Sequence, residues 1–153
     1  MDRWRVKAVV NRVNGSTLFG LAVARLGRAE VSPGPRGLVV ATRYRIAFPV
    51  ASAFTIGNVV LTRYDAAWLA QRPRLLLHEE RHSWQYVACL GLPMIPVYVM
   101  AAGYSYLRGG DIAVHNVFER LAGLGDGGYP QLSRRARLRA ERRTAAQRPA
   151  RTA

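Results

Sequence analysis

Two of the chain's three histidines, His78 and His82, stand four residues apart with a glutamate directly after the first, in the order H-E-E-R-H. On an α-helix, side chains at i and i+4 share one face, so both imidazoles can address a single metal ion. Glu79 is rotated by about 100° from His78. That places it beside the metal rather than on it, within reach of a bound water. A Zn²⁺ ion with three protein ligands keeps its fourth position for water, lowers that water's pKa to about 7, and lets a nearby carboxylate take the proton. The chemistry such a set performs is hydrolysis, most often of a peptide bond. The competing reading is a charged helix that carries two histidines for no chemical reason. The clustering of two of only three histidines around one Glu at ligand spacing favours the metal.

Two histidines leave a catalytic zinc one ligand short. Downstream the candidates are Asp111, His115, Glu119 and Asp126. His115 and Glu119 form a second i, i+4 pair, so one helix could present either to the site. Around them, Tyr104, Tyr106 and His115 are candidate donors for the oxyanion of a tetrahedral intermediate, or simply packing residues. Asn116 is placed to orient a ligand histidine through its second nitrogen. Glu80 and Arg81 fall on the far side of the motif helix and are expected to be solvated. Cys89 shares the ligand face but lies about 10 Å further along the helix, too far for the same metal, and reads as a buried thiol.

The elements that must position these residues follow from punctuation and periodicity. Pro73 suits a first helical turn and Gly91 a helix end, which bounds the motif helix. Before it, residues 38–42, 53–56 and 58–62 are β-rich, with Gly57 as a bulge or bend between the last two. Strand 58–62 is expected at a sheet edge, where an extended peptide could pair with it; an ordinary sheet strand is the plainer reading. Asp65 caps a short helix over 66–71. Residues 4–13 read as a short amphipathic helix or a strand, Ser16 as the N-cap of a helix over 17–26, and the S-P-G-P run from Ser32 as a rigid turn. Basic residues followed by an apolar run near the start resemble a secretory leader, but Arg12, Asn14 and Gly15 divide the two and argue against one. After the motif helix, residues 87–107 carry no charge. Prolines and Gly91 interrupt the run, which fits either a core helix over 96–107 or a membrane-embedded or monotopic segment. Asp111 is expected to cap a last helix over 112–124.

Composition adds limits. The chain has 153 residues, half of them hydrophobic, enough for one domain with a sizeable core. Basic residues outnumber acidic ones by 23 to 9, and Lys7 is the only lysine. From Gln131 onward there are eight Arg and one Glu, so that stretch holds +7 of the +14 net charge. The organisation expected is a domain over residues 1–130 and an Arg-rich, frayed or disordered tail over 131–153. A single cysteine excludes an intramolecular disulfide and fits a reducing, cytoplasmic setting.

Several stretches together resemble one family. H-E-E-R-H-S-W-Q-Y, an apolar helix containing Gly and Pro, G-G-D-x-x-x-x-N-x-F-E-R-x-A, and the preceding F-T-I-G-N-V-V-L are similar to a family of small bacterial proteins, the minimal gluzincin-like zinc metallopeptidases. The resemblance covers roughly residues 37–129. It implies an α+β fold, with a small N-terminal β-sheet packed on a mainly helical zincin-like core. It also implies Zn²⁺ held by His78, His82 and Glu119, Glu79 as general base, and a peptide or protein substrate.

Two function classes are therefore on the table. One is a zinc-dependent hydrolase. The other is a non-catalytic basic binding module with a structural or vestigial metal site. Its partner would be a membrane surface, met through residues 87–107 and the Arg-rich tail, or a nucleic acid. Nucleic acid is the weaker of the two, because the tail has no interleaved aromatics for base stacking.

Overall fold

The computed structural model describes residues 2–146, without the side chains of 144–146. Among the described residues are seven α-helices and a four-stranded mixed sheet, an α+β fold. Helix α1 (Arg3–Val13) and helix α2 (Ser16–Leu26) form a hairpin around Asn14 and Gly15. Ser16 is not the N-cap expected of it. Gly15 takes that position at φ +78°, and the Asn14 side chain accepts from the Ser16 N–H at 3.1 Å and hydroxyl at 2.7 Å.

Strand β1 (Glu30–Pro33), a 3₁₀ turn (Pro35–Gly37) and strand β2 (Val39–Thr42) follow, then the hairpin of β3 (Ala53–Ile56) and β4 (Val59–Thr62). The S-P-G-P turn thus begins later than expected, since Ser32 and Pro33 belong to an exposed edge strand. Gly57 opens the two-residue hairpin turn at φ +62°. The spatial order is β1-β2-β4-β3, with β2 and β4 parallel and the outer pairs antiparallel. Strand β4 is therefore interior, not an edge. Val59, Val60 and Leu61 are fully buried, as a strand covered on both faces requires. No backbone is left there to pair with a peptide.

Val59 and Leu61 join Ala41, Ile56, Tyr86, Met94 and Phe118 in the main core. Val60 faces a smaller one with Leu38, Val40, Ala53, Leu69 and Leu75. Asp65 caps helix α3 (Ala66–Ala70), accepting from the Trp68 N–H at 2.8 Å, as expected.

Helix α4 (Pro73–Ala88) packs on β3, α1 and helix α6 (Val117–Ala122). A buried polar network fixes its rotation. Asn11 donates to the Ser83 carbonyl at 2.8 Å, the Ser83 hydroxyl donates to Asn58 Oδ1 at 2.9 Å, and Asn58 donates to Thr17 Oγ1 and the Ala8 carbonyl. Every partner is satisfied, so α1, α2, β4 and α4 are held in one register. Glu80 corrects the expectation of a solvated face. It is buried, with Lys7 Nζ at 3.4 Å and Arg36 Nε at 2.6 Å.

Helix α5 (Met94–Gly109) is not a core helix. Met94, Ser105 and Gly109 are buried on its inner stripe, while Val97, Met100, Tyr104 and Leu107 face outward and are exposed. No helix among the described residues is long and apolar enough to cross a membrane. Asp111 caps a turn rather than a helix, and α6 starts six residues later under Asn116, whose Oδ1 accepts from the Phe118 N–H at 3.0 Å. Arg134–Ala146 forms helix α7, which corrects the disordered reading for that part of the tail. Residues 147–153 lie outside those described.

Candidate metal centre

Helix periodicity alone brings His78 and His82 onto one face of α4, and the fold adds Glu119 from the first turn of α6. His78 Nε2 and His82 Nε2 are 3.0 Å apart. Glu119 Oε2 is 3.2 Å from His78 Nε2, and its Oε1 is 3.6 Å from His82 Nε2. The three ligand atoms lie within 4.8 Å of one another, and all three residues are buried. His115, the alternative third ligand, is elsewhere. Its backbone N–H meets Ser105 Oγ and its ring lies against Gly109. Asp126 takes Arg81 Nη1 at 2.7 Å, and Asp111 accepts backbone N–H groups, so neither joins the site.

The outer nitrogens decide the chemistry of the inner ones. His78 Nδ1 is 3.0 Å from the carbonyl of Gly123, a group that can only accept. His82 Nδ1 is 2.8 Å from Gln85 Oε1, and Gln85 is oriented by its own Nε2, which donates to the Phe118 carbonyl at 2.9 Å. Both Nδ1 atoms must therefore donate. In the neutral imidazoles, both Nε2 atoms then carry lone pairs that point at each other and at a carboxylate. Glu119 Oε2 has no hydrogen-bond partner among the described residues, although it is buried. Two lone pairs and an orphaned carboxylate oxygen converging in a buried pocket repel one another unless positive charge, a metal ion or a proton on an imidazole, sits among them. The residues present fit a metal ion.

The electrostatics agree. With protons on the imidazoles in place of a metal, burial would raise the Glu119 carboxyl, but hydrogen bonds from His78 and His82, the His82 charge and a hydrogen bond from the Tyr98 hydroxyl hold it down to about 2. For His82, burial lowers the imidazole pKa, but Glu119 and Glu79 outweigh it and the net direction is up. The pocket favours positive charge at this point. Glu79 is buried, and its Oε2 accepts from Thr55 Oγ1 on β3 at 2.7 Å. Burial pushes its carboxyl up, opposed by His82, Thr55 and His78, while Glu119 adds to the rise.

Tyr98 and Tyr129 complete the surroundings. The Tyr98 ring lies 6.1 Å from that of His82, and the Tyr129 ring 6.0 Å from that of His78. Burial and the nearby Glu119 charge raise both phenols, so both stay protonated, and Tyr98 donates to Glu119 Oε1. The oxyanion candidates Tyr104 and Tyr106 lie on the exposed side of α5 instead. Asn116 caps α6 and orients no histidine; Gly123 and Gln85 do that work. Gln85 was legible in principle, three residues beyond His82 on the same helix. Thr55, Tyr98 and Tyr129 carried no local signal.

A glycine-rich loop closes the site. Gly123, at φ +93°, turns the chain out of α6 so that its carbonyl reaches His78, and Arg81 Nη1 ties the preceding Ala122 carbonyl at 2.6 Å. A Cβ on Gly127 would lie 2.6 Å from His78 Cε1. Behind that loop is an open cleft of about 480 Å³, bounded by Ser52, Trp68, Arg72, Leu75 and Gly125 to Gly128. Cys89 is half-buried against the main core and remote in role from the metal set. Comparison of the chain with known protein families, with curated proteins and with solved structures finds no match.

Proposed function

We propose that this chain is a zinc-dependent metallopeptidase of the gluzincin-like kind, with His78, His82 and Glu119 as ligands and Glu79 as general base. One observation carries the reading: two imidazole lone pairs and an unpartnered carboxylate oxygen converge within 4.8 Å, beside a second buried carboxylate that is not one of the three. Two imidazoles and a carboxylate suit zinc among the common divalent ions. When bound, zinc supplies a Lewis acid that acidifies water and polarises a carbonyl.

The rest is done by the chain. Glu79 takes the proton as a water oxygen attacks the peptide carbonyl carbon, and returns it to the leaving amine nitrogen as the C–N bond breaks. Thr55 fixes one Glu79 oxygen and leaves the other free for the proton. Tyr129, protonated and next to His78, is the candidate donor to the carbonyl oxygen as it gains charge. The cleft beyond Gly127 is separated from His78 by that loop, so a chain lying there would reach the metal set only with the loop displaced.

The test is zinc content and cleavage of an unstructured polypeptide by the wild type, His78→Ala and Glu79→Gln. His78→Ala is expected to lose both. Glu79→Gln is expected to keep zinc and lose a factor of about 10²–10⁴ in rate. A specific observation favours the second reading, a non-catalytic metal scaffold: all three ligands are almost fully covered, as in closed structural sites. Zinc bound by the wild type with no cleavage by any of the three would decide for it.

A further inference from the structure

A surface helix normally turns a polar face to water. Helix α5 does not. Met100 and Leu107 are each 74 % exposed, and Val97, Val99, Tyr104 and Tyr106 are exposed with them. The first charge on the helix is Arg108, near its end. At 16 residues it is about 24 Å long, too short to span a bilayer, yet apolar on both its inner and outer sides.

What lies beside that end is the second observation. Helix α7 carries six arginines and one glutamate in R-R-A-R-L-R-A-E-R-R-T-A-A. It docks on α5 at the N-terminal end, where Arg135 Nη1 donates to the Leu107 carbonyl at 2.8 Å. Between the two helices lies an open cleft of about 440 Å³, lined by Arg108, Arg135, Arg139 and Arg143 with His115 and no acidic residue. Guanidinium groups bind phosphate oxygens with two parallel hydrogen bonds, and arginine is the residue suited to that geometry.

We propose that α5 and α7 form a docking surface for a membrane rich in anionic phospholipid. The outer side of α5 lies among the acyl chains and the Arg cleft takes headgroup phosphates. An interfacial helix needs an apolar side and cationic groups at headgroup depth, and this surface has both. Tyr104 and Tyr106 suit the same boundary, where an apolar ring and a polar tip are both accommodated. A nucleic acid would use the arginines but leave Val97, Met100 and Leu107 in water. A second copy would cover the apolar side, but it carries the same net charge of +14 and offers the Arg cleft no matching anionic surface. The inference is independent of catalysis. It does place the metal centre just under the lipid, because Tyr98 on the inner side of α5 donates to Glu119.

The experiment is co-flotation of the full chain with phosphatidylcholine vesicles, with and without phosphatidylglycerol, and with inorganic phosphate as competitor. Association with the phosphatidylglycerol vesicles alone is expected, reduced by salt and not displaced by millimolar phosphate. Met100→Glu with Leu107→Glu, and separately Arg139→Glu with Arg143→Glu, are each expected to weaken it more than about tenfold. All four positions are exposed, and circular dichroism checks that the variants are folded. Equal binding to both vesicle types, none to either, or displacement by phosphate would overturn the proposal. So would a wild-type dimer in solution that Met100→Glu dissolves, or RNA binding that the arginine pair abolishes while the apolar pair leaves it intact.

Discussion

Glu80 follows Glu79 directly, yet the two carboxylates answer to different surroundings. Glu79 faces the histidines, whereas Glu80 sits between the fully buried Lys7 and the half-exposed Arg36. Removing one partner of a buried ion pair leaves a desolvated charge behind, at a cost on the order of 3 kcal/mol. Glu80→Gln is expected to keep its metal and lose stability of that order in urea unfolding, while Glu79→Gln keeps both. An unchanged Glu80→Gln would show that Lys7 finds another partner or gives up its proton. Lys7 also sets a pH dependence. Burial lowers its pKa, the Glu80 charge and hydrogen bond oppose that, and the net direction is down. Between that lowered value and the ordinary lysine value the unfolded chain holds a proton that the native one lacks, so stability rises with pH in that alkaline window. Lys7→Met should flatten the rise. At Gly127 the argument is steric. A methyl group there meets the His78 ring at 2.6 Å, and the ring cannot move without leaving its Gly123 bond. Gly127→Ala is expected to weaken zinc by about 10–100-fold in a competitive chelator titration, with little loss of fold.

At the scale of elements, the sequence was most legible where one local rule decides. The H-E-x-x-H helix, the two β-rich stretches on either side of Gly57 and the Asp65 cap each rest on spacing or local residue chemistry within a few residues. It was least legible where tertiary packing decides. β1 has no alternation and exists because β2 offers it a partner. β4 looked like an edge because nothing local says that β2 will pair with it in parallel across a long crossover. Glu119 was reached through resemblance, since spacing alone left His115 equal to it; the turn under Asp111 and the Asn116 cap settle which one faces α4. Helix α7 was read as tail because too few apolar residues were available to pack. It docks through polar contacts instead: Asp111 Oδ2 accepts from the Arg134 N–H at 3.1 Å, and Arg135 covers the last carbonyls of α5. Truncation before Ser133 is therefore expected to leave zinc affinity unchanged. It should lower stability by about 0.3–1 kcal/mol, the worth of a cation at a helix C-terminus, read by calorimetry. A collapse of the cooperative transition would mean that α7 belongs to the core.

Across the whole molecule, the metal set joins two parts held with unequal strength. Helix α4 is tied to α1, α2 and β4 by the Asn11–Ser83–Asn58 network. Helix α6 is short, and α4 holds its backbone through Gln85 to the Phe118 carbonyl near its start and through Arg81 and His78 to the Ala122 and Gly123 carbonyls at its end. Without a cation, Glu119 Oε2 is buried with no donor, next to two lone pairs, and repulsion works to open the seam between the helices. A metal that binds only the native state adds about 2.7 kcal/mol when free metal is a hundredfold above its dissociation constant. Chelation is therefore expected to lower the thermal midpoint of the wild type and leave His78→Ala, already without metal, unmoved. The loss should also be local at first: amide exchange should quicken in α6 and the Gly123 to Tyr129 loop before it changes in β2 and β4. Equal sensitivity of wild type and His78→Ala to chelator, or exchange that quickens first in the sheet, would mean that the cation sits elsewhere.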